Sequence, residues 1–235
     1  MAKDDNGVLE KYVSNLMQFI DSTHDSLPYE DALVRAEAAL SIAGIISRVS
    51  DERPVKSLLR GREDDIYWAL TVTSSGGMFV NDDSLYIPQI VRYVRYGGFP
   101  VPSVDFIEKL IENKDRTYKS DRTCLFLTLA FGTDPSEPKR LGEILLSNPN
   151  IMNFYGINDL VEDGIVGLHD LSDTINSKNR YANPLKQRMT LMGDDALQLL
   201  EDSFIRFYTT AWEPELIKGL FADIREAKLQ NSAVL

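Results

Sequence analysis

Apolar residues recur at three- and four-residue spacing along most of this chain, and Gly and Pro cut that rhythm into short pieces. Such spacing gathers side chains on one face of a helix. It predicts an all-α fold of nine or ten short helices. Turns of a few residues favour antiparallel neighbours, so the helices should pack mainly as antiparallel pairs, in a globular bundle or a helical-hairpin array. The length of 235 residues suits a single all-helical domain, residues 1–235, with a soft boundary near 132–150. That is enough chain for a core without disulfide or metal staples.

The rhythm locates the elements. Val8, Leu9, Tyr12, Val13, Leu16, Met17 and Ile20 form one stripe on a helix over 7–23. A second helix, 28–49, carries Ala32, Ala36, Ala38, Ala39, Ala43 and Gly44, small residues that let neighbours approach closely, and it is expected to be central. Residues 51–60 read as a connection, followed by helices over 61–73 and 84–96, each stopped by a glycine pair. Ser103 is placed as an N-cap, with Asp105 and Glu108 near the positive helix end. Thr123–Phe131 has a strand-friendly composition, but with no partner strand in view a buried helix is expected. A short helix carries Leu141, Ile144 and Leu145, and a long one spans 153–175. Further helices open at Pro184, Asp194 and Pro214. Gly164 lies on the apolar side of the 153–175 helix and predicts a close crossing there, with the second helix as partner.

Chemistry is constrained by scarcity. The chain has two histidines and one cysteine. Cys124, in an apolar run, is expected to be a small buried side chain. There is no G-x-S-x-G, no phosphate-binding loop, no G-x-G-x-x-G and no H-E-x-x-H. No metal site and no cofactor are expected.

The best catalytic candidates are His169, Asp170 and Asp173, in a 158–173 segment that gathers five acids. His169 and Asp173 are four apart and share a helix face. Carboxylates with an imidazole could serve as an acid–base pair or hold a cation. At about 100° per residue, however, the acids fall opposite Ile157, Val161, Gly164, Leu168 and Leu171. An ordinary solvated face is the expectation. Asn158–Val161 resembles the start of the second metal motif of class I terpene synthases, but its later positions fall on Glu162 and Val166, so the motif is not completed.

A binding candidate is Arg92, Tyr93, Arg95 and Tyr96, since aromatics between arginines can grip an anion by stacking and charge. Snorkelling arginines on an amphipathic helix are the plainer reading. His24, beside a helix end, is expected to cap or to face solvent.

The formal net charge of −11 disfavours nucleic acid and anionic membranes, suits a basic protein partner, and leaves room for self-association. No apolar run approaches the ~20 residues needed to span a bilayer, and the start is polar, so a cytoplasmic protein is expected. The function that follows is a helical interaction module, a scaffold, adaptor or regulatory subunit without catalysis of its own. It predicts an exposed apolar or acidic patch. The rival is a small helical enzyme or ligand-binding protein with a pocket lined by Tyr67, Trp68, Tyr86, Tyr93, Phe99, Tyr155 and Trp212. No residue pattern decides whether the chain is an enzyme.

Overall fold

A computed structural model describes residues 4–24, 29–49, 54–70, 89–90, 92–94, 97–113, 118–152, 184–207 and 214–233. Among these residues there are helices and no strand. The fold is all-α, as the spacing predicts. In chain order the helices are α1 (Asp4–Thr23), α2 (Tyr29–Ile46), α3 (Pro54–Ser57), α4 (Glu63–Leu70), α5 (Val104–Glu112), α6 (Tyr118–Phe131), α7 (Glu137–Ser147), α8 (Pro184–Met189), α9 (Asp194–Phe207) and α10 (Pro214–Ser232). A single 3-10 turn, Pro149–Ile151, follows α7. The chain divides into two compact units, Met1–Cys124 and Leu125–Leu235. The 153–175 helix and the crossing expected at Gly164 lie outside the described residues.

In the first unit α2 packs on both α1 and α4. Its alanines explain why. Ala32, Ala36, Ala39 and Ala43 are fully buried, and a Cβ added at Gly44 would sit 2.9 Å from the Tyr93 hydroxyl. Small side chains along one helix allow neighbours on more than one side. The connection from α1 to α2 is short, and the buried Arg35 of α2 donates to the Thr23 carbonyl at the end of α1, so the two helices form an antiparallel hairpin. The 51–60 connection contains the one-turn helix α3, with Val55 and Leu59 buried. A single turn is too short to show a period, although Pro54 at its start is a fitting first-turn residue. Gly61, at φ +81°, makes the turn into α4, a conformation that costs glycine little. Glu63, Asp64 and Asp65 then occupy the first turn of α4, at its positive end.

Ser103 caps α5 as its position predicts. Its Oγ accepts from the Phe106 N–H at 3.1 Å and donates to an Asp64 carboxylate oxygen at 2.6 Å. The same carboxylate accepts from the Ser103 N–H at 3.1 Å, tying the start of α5 to α4.

The ambiguous 123–131 run is helical, within α6, and Cys124 to Ala130 are all buried. A run buried on every side has no need of alternation, so its composition alone could not separate helix from strand.

In the second unit α7 and α10 both pack on α9. The α9–α10 pair has a readable antiparallel register. Lys228 bonds Asp194 at 2.5 Å, Arg225 bonds Gln198 at 2.9 Å, and Phe221 meets Phe204 at 5.9 Å between ring centroids. Later residues of α10 thus meet earlier residues of α9. A Cβ at Gly142 of α7 would lie 2.9 Å from that of Ala196 in α9, so the two helices approach closely there.

A candidate docking face on the first helix

The apolar stripe of α1 is too wide for one buried face. Stepping at about 100° per residue from Val8, Phe19 lies at about 20°, Tyr12 at 40°, Leu16 at 80°, Leu9 at 100°, Ile20 at 120°, Val13 at 140° and Met17 at 180°. The buried members are Ile20, Val13 and Met17, at one edge of this arc. Leu9, Leu16 and Phe19 are part-buried. At the other edge Val8 is 70% exposed and Tyr12 50% exposed. The seven residues from Val8 to Ile20 share one apolar stripe, as their spacing predicts, but only one edge of that stripe is buried. A helix packed on one side covers an arc of little more than ~100°. The remaining edge of α1 stays in solvent.

The N-terminal end of this edge carries charge, with Asp4 and Asp5 one turn before Val8 and Lys11 three residues after it. Lys11 to Ile20 contains no acid. The flanking Asn15, Gln18 and Ser22 are exposed and uncharged. Asp21, on the far side of the helix, bonds Arg62 at 2.5 Å, and Arg62 also bonds Asp65 at 2.8 Å. Burial works against the Arg62 charge, but its bonds to the two carboxylates outweigh that and hold its pKa above the ordinary value.

The other candidates are placed as follows. Arg92 is exposed, whereas Tyr93, its neighbour, turns onto Gly44 of α2. They do not share a face. Arg95 and Tyr96 lie outside the described residues, as do His169, Asp170 and Asp173. Among the described residues no group of three or more His, Cys, Asp or Glu is placed to hold a metal ion. Cys124 is buried.

His24 stacks on Trp68, with ring centroids 5.3 Å apart and planes 14° apart. Of the pocket aromatics, Tyr67 and Phe99 are buried against each other at 5.7 Å, and Phe106 lies 6.4 Å from Tyr67. The Tyr67 hydroxyl donates to the Pro100 carbonyl at 2.7 Å. Burial, helped by nearby Cys124 and Asp64, pushes its pKa well above the usual phenol value. The hydroxyl therefore stays protonated near neutrality, as its hydrogen bond to Pro100 requires. Tyr86, Tyr155 and Trp212 lie outside the described residues.

A second charged cluster holds the corner between α6 and α7. Arg188 of α8 donates to the Asp134 carbonyl at 2.7 Å and to the Glu137 carboxylate at 3.0 Å. The Glu137 carboxylate, the Arg188 guanidinium and the Thr128 carbonyl occupy the space a Cβ at Gly132 would need. Burial raises the Glu137 pKa, opposed by the Arg188 charge. Its geometry is that of a clamp between elements.

No described helix is long and apolar enough to cross a membrane. No protein family, no curated protein and no solved structure matches the chain.

Proposed function

We propose that this protein is a helical interaction module, a scaffold, adaptor or regulatory subunit that meets other polypeptide through α1 and has no catalysis of its own. The uncovered edge of the α1 apolar arc, Val8 and Tyr12 with Leu16 and Phe19 beside them, carries this reading. Contiguous exposed apolar side chains on a helix are a common means of docking against another helix. The net charge of −11 makes a basic foreign partner easier to approach than an acidic one.

The test is capture at native expression in the native host. A tagged wild-type chain should recover protein that a Tyr12→Glu chain does not. Tyr12 is half exposed, so the substitution leaves the core of the unit intact. Equal recovery by the two chains, or recovery of nothing by either, would remove this reading.

A further inference from the structure

We draw no further inference here: the strongest candidate, the unpartnered apolar edge of α1 at Val8 and Tyr12, belongs to the docking face already described, and nothing in the structure shows what covers it.

Discussion

Helices α1 and α10 have nearly the same length, 20 and 19 residues, and they use their apolar residues differently. The buried side chains of α10, Ile217, Leu220, Phe221 and Ile224, span about 100° of the helix. That is the width one packed neighbour layer covers. Its polar flank residues are tied down, with Arg225 bonding Glu201 at 2.6 Å and Lys228 bonding both the Met192 carbonyl and Asp194, while Leu229 near the end of the helix is exposed. The apolar arc of α1 runs to about 180°. One edge of it is buried, its middle is part-buried, and Val8 and Tyr12 are exposed. On α10 the exposed large apolar residue among the described ones is the single Leu229 near the end of the helix, whereas on α1 Val8 and Tyr12 stand one turn apart along one edge.

The comparison can be broken from its covered side. Phe221 is fully buried against Phe204. Phe221→Ala should cost about 3–5 kcal/mol in urea unfolding, through lost transfer energy and the cavity left behind. A loss below about 1 kcal/mol would mean the α9–α10 seam is not a core.

Next in size is the flank. Arg225→Ala leaves the nearly buried Glu201 carboxylate without that partner, and should cost about 1–3 kcal/mol. Arg225 keeps a third of its side-chain exposure, so water recovers part of the loss. Glu201→Gln in the Arg225→Ala background should restore much of it. An unrestored double variant would show that the pair is not an electrostatic lock.

The smallest of these effects is pH-dependent. Asp194 is held below its ordinary pKa by the hydrogen bond and charge of Lys228. The stability it adds is complete above the unfolded carboxylate value of about 3.9 and is lost as pH falls through the lower folded value. Unfolding midpoints of wild type and Lys228→Met should therefore differ by a constant amount at pH 5–7 and converge below pH ~4. A difference that persists in acid would assign Lys228 a packing role instead.

Much of the fold was legible because its helices obey the simplest rule of spacing. Leu197, Leu200 and Phe204 fall inward on α9 as their intervals predict, and Ser103 caps α5 because a hydroxyl before an apolar run serves the orphan N–H groups of a first turn. Three things were not legible, each for a physical reason. The one-turn helix α3 is shorter than the period that would reveal it. His24 pairs with Trp68 across 44 residues of chain, a contact no local pattern encodes. The exposure of Val8 and Tyr12 depends on how many neighbours α1 has. Spacing shows which side chains share a helix face, but it does not count the neighbours available to cover that face. The signal was nevertheless present in the arc itself, which is wider than one neighbour can bury.

The central claim is that α1 has a buried edge and a free edge. Urea unfolding of two variants tests it directly. Ile20 is almost wholly buried, and Ile20→Ala should cost about 2–5 kcal/mol. Tyr12→Ala, from the exposed edge of the same helix, should change stability by less than about 0.5 kcal/mol. Comparable losses of several kcal/mol from both variants would contradict the account, because they would place Tyr12 inside the fold and leave no free face on α1.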